Sequence, residues 1–155
     1  LKFFQTKQKE GLIMKVLIGA DQDGTQLKEV LKKHLEKQGY EVIDKTPETG
    51  LDFVDSTTRV VEGLLAKEGD RGILIDRYGA GSFITANKFK GMICAEVSDE
   101  HSAKMTRNHN NAMAIAMGAG IVGEELAKSC ADAFLQSEYA GGRHQIRVDM
   151  LNRMC

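Results

Sequence analysis

The chain has 155 residues with 21 basic and 22 acidic side chains, a formal net charge of −1. This balance excludes a general electrostatic pull toward nucleic acid or an anionic membrane, so any anion site must be local, and the length suits one domain with its own core. The three cysteines, Cys94, Cys130 and Cys155, are odd in number, far apart and without a C-x-x-C pair, which argues against a disulfide framework or a zinc knuckle and for a reducing, cytoplasmic setting.

Residues 1–13, LKFFQTKQKEGLI, follow neither strand nor helix period and read as an extension ahead of a single domain at 14–155. KVLIGA (15–20) is a short β-rich run, and the helix expected over 26–38 places Leu27, Val30, Leu31 and Leu35 on one stripe before Gly39 stops it. The alternation continues with YEVID (40–44), a helix over about 55–67, GILID (72–76) and a short helix after Gly81. MICAEV (92–97), a helix over about 98–109, AMAIAMG (112–118) and a helix over about 123–137 with the stripe Leu126, Cys130, Ala131, Phe134 complete the set.

Strands that alternate with helices predict a parallel sheet covered on both faces. The expected fold is therefore α/β, a Rossmann-like three-layer αβα sandwich with a five-stranded parallel sheet and a C-terminal helix. No stretch approaches a membrane span, and no long apolar block of the signal-peptide kind is present near the N-terminus. Ligands of open parallel sheets bind beyond the carboxyl ends of the strands. That rule selects three loops: Gly19 to Gly24, Asp76 to Ser82, and the turn near Asp99.

Each loop admits a chemical and a plain structural reading. In D-R-Y-G-A-G-S (76–82), Gly79 and Gly81 expose backbone N–H groups that suit an anion, or they merely permit a tight turn. The sequence is neither a complete G-x-G-x-x-G, because Ile84 replaces the last glycine, nor a P-loop. Asp21 either accepts a sugar hydroxyl or closes an Asx turn. In R-N-H-N-N (107–111), His109 serves as acid or base or simply as a helix-end cation. After two glycines, Arg143 and Arg147 stand one helical turn apart, a spacing that suits a phosphate or a solvated basic face. The four histidines show no metal-ligand spacing with acids or thiols, so neither metal nor cofactor is expected. Cys94 and Cys130 fall on apolar faces and read as core.

Taken in order, G-A-D-x-x-G with L-K-E, G-I-L-I, G-x-G with A-N-K, S-D-E-x-S-A, R-x-H-N, I-V-G-E-E-L-A and G-G-R-H-Q-x-R-V-D resemble one family. It unites the type B ribose-5-phosphate isomerases with the two subunits of galactose-6-phosphate isomerase, and the likeness runs from Met14 to the C-terminus. D-F-V-D (52–55), I-D-R-Y-G-A-G-S-F, M-T-R-N-H-N-N and the ending V-D-M-L-N-R-M-C place it on the galactose 6-phosphate side. The resemblance implies metal-free exchange of an aldose and a ketose phosphate through an enediol, as between D-galactose 6-phosphate and D-tagatose 6-phosphate.

The family's base is a cysteine opening the pattern C-G-T-G-x-G. Those first three positions are Asp76, Arg77 and Tyr78 in this chain, the family's following serine is Phe83, and its histidine beside the first acid is Gln22. Asp21, Gly79, Gly81, His109, Asn110, Arg143 and Arg147 match. Since family pockets are built from two chains, the resemblance implies a hetero-oligomer in which a homologous B subunit supplies the cysteine. His109 and Asn110 are then the catalytic groups of this chain, and Arg143, Arg147, Asp21, Gly79 and Gly81 bind substrate. Two other readings stay open: a self-sufficient isomerase with Asp76 as base, in which pairing with Arg77 would lower the basicity of the carboxylate, and a non-catalytic sugar-phosphate-binding or scaffolding subunit.

Overall fold

A computed structural model describes residues 12–155. Of the extension expected at 1–13, only Leu12 and Ile13 lie among them, and both are exposed; the rest of that reading falls outside the described residues. Five strands, β1 (Lys15–Ala20), β2 (Glu41–Asp44), β3 (Arg71–Asp76), β4 (Cys94–Glu96) and β5 (Ala114–Gly118), form one sheet in the order β2-β1-β3-β5-β4. All pairings are parallel. The described helices are α1 (Thr25–Lys37), α2 (Phe53–Leu65), α3 (Ala80–Ala86), α4 (Glu100–Asn110), α5 (Glu124–Leu135) and α6 (Gln145–Arg153).

Alternate residues of the strands feed two cores, as the period of two requires. Val16, Ile18, Ile73, Ile75, Ile115 and Met117 pack with α1, α4 and α5, whereas Leu17, Leu74, Ala114 and Ala116 pack with α2 and α3. Both faces of the sheet are thereby covered, and the sandwich expected from the alternation is the one observed.

Local chemistry explains where the boundaries move. α2 begins at Phe53, two residues earlier than the periodicity suggests, because the Asp52 carboxylate accepts the Asp55 N–H at 2.8 Å and caps the helix. β4 has three residues rather than six. As an edge strand it gives Cys94 to the Asn87 side chain, whose amide donates to the Cys94 carbonyl at 2.9 Å and accepts its N–H at 3.0 Å. On α5 the buried stripe is Ala127, Cys130, Ala131 and Phe134, with Leu126 turned outward. On α1, Leu27, Leu31 and Leu35 are buried and Val30 only partly.

Behind the β2 end, Lys28 is buried; its ammonium donates to the Thr46 carbonyl at 2.5 Å and stands 3.0 Å from the Asp44 carboxylate. The Thr46 hydroxyl in turn accepts the Ala20 N–H at 3.0 Å. This network fixes the last residue of β1, from which the first loop departs.

Candidate active site

The chain passes from β1 to β2 on one side and from β3 toward β5 and β4 on the other. The carboxyl ends of β1 and β3 therefore flank the point where the winding reverses, the place where such sheets open a crevice. Asp21 and Asp76 stand at these two ends.

Asp21 is buried, and its Oδ1 accepts the N–H groups of Asp23 at 2.9 Å and Gly24 at 3.0 Å. The Asx turn is thus formed. Burial raises the Asp21 pKa above the ordinary carboxylate value, and the nearby Asp76 charge adds to the rise against the lowering by these two hydrogen bonds.

Asp76 is buried as well, and both of its oxygens are engaged. Oδ1 accepts the Gly79 N–H at 2.6 Å and Oδ2 accepts the Ser82 N–H at 3.2 Å. Gly79 has φ +83°, and the helix that follows starts at Ala80, so Gly81 lies inside α3 rather than before it. A Cβ at Gly81 would come within 2.8 Å of Phe53 Cδ2 and 2.9 Å of Asp76 Oδ2. Both glycines serve the closed turn around the carboxylate. Arg77 does not pair with Asp76: its Nε donates to the Tyr78 hydroxyl at 3.1 Å, and the guanidinium lies 5.6 Å from that ring's centre, out in solvent. The exposed position of Arg77, one residue past the buried strand, accounts for this.

The remaining candidate residues gather elsewhere. α4 ends at Asn110, and Asn111 turns the chain in the left-handed region (φ 53°, ψ 36°) before β5. Arg107, buried, holds that corner by donating to the Ala112 carbonyl at 2.5 Å and to the Asn111 side chain; burial pushes its pKa down to about 9. The Asn110 Oδ1 accepts the Thr106 hydroxyl at 3.1 Å. His109 stacks on His144, with ring centres 4.2 Å apart and planes 17° from parallel.

His144 belongs to the 3₁₀ turn Gly142–His144 that leads into α6, and both Gly141 and Gly142 have positive φ. Arg143 lies on this turn rather than on the helix, and the Arg147 guanidinium donates to the Arg143 carbonyl at 3.0 Å. Desolvation, then His109, Arg143 and Arg147, lowers the His144 pKa below its ordinary value. Among the described residues neither arginine forms an ion pair. His109, His144, Arg143 and Arg147 thus gather into one patch whose fixed positive charges are the two guanidiniums. His144 was not singled out by sequence reasoning; its place directly after Arg143 in G-G-R-H was the available signal.

The two groups stand at opposite edges of the sheet. Asp21, Asp76, Gly79 and Gly81 lie at the carboxyl ends, whereas His109 and Asn110 precede β5 and so lie at its amino end. Ala114 pairs with Gly72 and Gly118 with Asp76, so four residues of strand, about 13 Å, separate the edges before side chains are added. No hydrogen bond or ion pair joins the groups among the described residues. A cavity of about 320 Å³ opens between Asp23, Gln26, Arg77, Gly120, Gly123 and Glu124; Asp23 and Arg77 come from two of the loops selected from the sequence, but Asp21, Gly79, Gly81, His109, Asn110, Arg143 and Arg147 do not line it.

Among the described residues no cluster of three or more His, Cys, Asp or Glu side chains could hold a metal ion, and no helix is long and apolar enough to cross a membrane.

A family model described as Ribose/Galactose Isomerase matches residues 16–151. The galactose-6-phosphate isomerase subunit LacA of Clostridium acetobutylicum is 60% identical over 141 residues, covering 91% of this chain and 99% of that protein. Among solved structures, ribose-5-phosphate isomerase B of Clostridium thermocellum has a TM-score of 0.87 at 39% identity, covering 90% of this chain and 95% of that one. The Thermotoga maritima ribose 5-phosphate isomerase gives 0.88 at 33%, with 91% and 99% covered.

Proposed function

The chain belongs to the ribose/galactose isomerase family and is a sugar-phosphate isomerase subunit; from that premise we propose that it acts as the A-type subunit of a galactose-6-phosphate isomerase. In this reading the enzyme interconverts D-galactose 6-phosphate and D-tagatose 6-phosphate in lactose and galactose breakdown. Each pocket forms where the amino-edge patch of one chain meets the carboxyl-edge loop of another. This chain contributes Arg143, Arg147, His109 and Asn110, and a homologous B subunit contributes the loop with the cysteine.

One observation carries the proposal: the residues that would bind phosphate and those around Asp76 lie on opposite sheet edges, too far apart to close one pocket within a chain. The Asp76 carboxylate points the same way, since both oxygens are bound by its own loop. Asp21, Gly79 and Gly81 therefore shape the turns of a half-site without the thiol.

In the pocket with the cysteine, Arg143 and Arg147 hold the 6-phosphate through charge-assisted hydrogen bonds. His109 transfers the proton that opens the sugar ring, its ring held in place by the stack on His144. The partner's thiolate removes the proton from C2 and delivers it to C1, while a proton passes from O2 to O1; Asn110 donates to the enediol oxygen.

The test is to assay galactose 6-phosphate conversion by this chain alone and by this chain with the B subunit. Activity is expected only from the mixture. Full activity of the isolated chain, abolished by Asp76→Asn, would establish a self-sufficient carboxylate base instead. Sugar-phosphate binding without turnover in the mixture would leave a scaffolding subunit.

A further inference from the structure

α6 has little hold on the body of the domain, since Val148 is its one buried residue. The positions of Arg143 and Arg147 relative to His109 must then be fixed through the segment 136–144 that leads into the helix. Within that segment the Tyr139 hydroxyl donates to the Gln145 Oε1 at 2.9 Å, which makes the loop and the start of α6 one unit. The unit needs a fastening to the sandwich.

Asn108 supplies it twice. Its Nδ2 donates to the Glu138 carbonyl at 3.0 Å, and its own carbonyl accepts the Ala140 N–H at 2.9 Å. That carbonyl is free to do so because it lies in the last turn of α4, where helical carbonyls lack partners within the helix. The next residue in the chain is His109, stacked on His144 of the fastened segment. Asn108 is the open position of R-x-H-N, so the motif itself assigns it no role.

We propose that Asn108 is a positioning residue for phosphate binding: it straps the loop 138–140 to the end of α4 and thereby sets where Arg143 and Arg147 stand relative to His109. The inference rests on the reading of that patch as the phosphate half-site. It also gives a reason for the amide at this position. A hydrophobic side chain has no donor for the Glu138 carbonyl, and a carboxylate would face it oxygen to oxygen.

Asn108→Ala and Asn108→Asp test the strap. Both keep the backbone bond from Ala140, so the fold is retained, and the aspartate also keeps the size. In the mixed enzyme each is expected to raise KM for galactose 6-phosphate about fivefold with kcat within about twofold, because the lost contact acts on binding in ground and transition state alike. The inhibition constant of inorganic phosphate should rise in parallel. On the full chain alone, the imidazole resonances of His144 should titrate closer to the ordinary histidine value, as the stack and the arginines move away.

Unchanged KM and phosphate inhibition with an unmoved His144 titration would overturn the proposal, as would a loss confined to kcat. If the wild-type mixture shows no isomerase activity, the functional reading fails. The His144 titration and its response to inorganic phosphate still decide whether the strap exists.

Discussion

In the proposed split site Asp76 stands where the partner chain would carry its thiol, and its oxygens cap its own turn. Two consequences follow at the level of single side chains. Asp76→Asn keeps one acceptor for the Gly79 N–H and loses one for Ser82, so a stability loss of about 1 kcal/mol is expected in chemical denaturation. The activity of the mixed enzyme should stay within about threefold, whereas a catalytic base would lose orders of magnitude. His144 offers a second readout: its pKa lies below the ordinary histidine value because of desolvation and three neighbouring groups that are or can be cationic. Adding inorganic phosphate brings negative charge to the patch and should raise that pKa, visible as an upward shift in its NMR titration midpoint; Arg143→Ala should raise it in the absence of phosphate too.

Among the elements, the link between α1 and the end of β2 carries the sharpest expectation. Burial alone would raise the Asp44 pKa, but hydrogen bonds from Lys32 and Lys28 outweigh it and hold the carboxyl below its ordinary value. A carboxyl depressed in the folded state stabilises above its unfolded pKa and loses that contribution as pH falls through the folded value. Asp44→Asn should therefore cost about 3 kcal/mol at pH 7, since Lys28 is left charged and buried, and the difference from wild type should shrink below about pH 4. Denaturation curves at several pH values check both the size and the direction. The helices and central strands were legible in the sequence because Leu27, Leu31 and Leu35, or Ile73 and Ile75, state their own period. The short β4 was not, since its limit depends on Asn87 reaching Cys94 from another element, and no local pattern encodes such a contact. Arg143 was expected on a helix but sits on a 3₁₀ turn, because two successive positive-φ glycines delay the start of α6.

For the molecule as a whole, residue types were readable from motifs while their separation was not. His109 and Asp76 are 33 positions apart in the chain, and only the strand pairing reveals that they stand at opposite ends of β5 and β3. The same separation makes Arg143→Ala a test of the shared pocket. In the mixed enzyme KM should rise about tenfold or more through loss of a charge-assisted phosphate contact. Burial of two of the cysteines has a practical corollary. Cys94 and Cys130 are enclosed, and their thiols are pushed up to about 12 and about 11, so neither presents a thiolate to an alkylating reagent near neutrality. Cys155 alone is exposed. With Cys155→Ala in place this chain offers iodoacetamide no exposed thiol, so in the proposed split site the mixed enzyme should still be inactivated by that reagent.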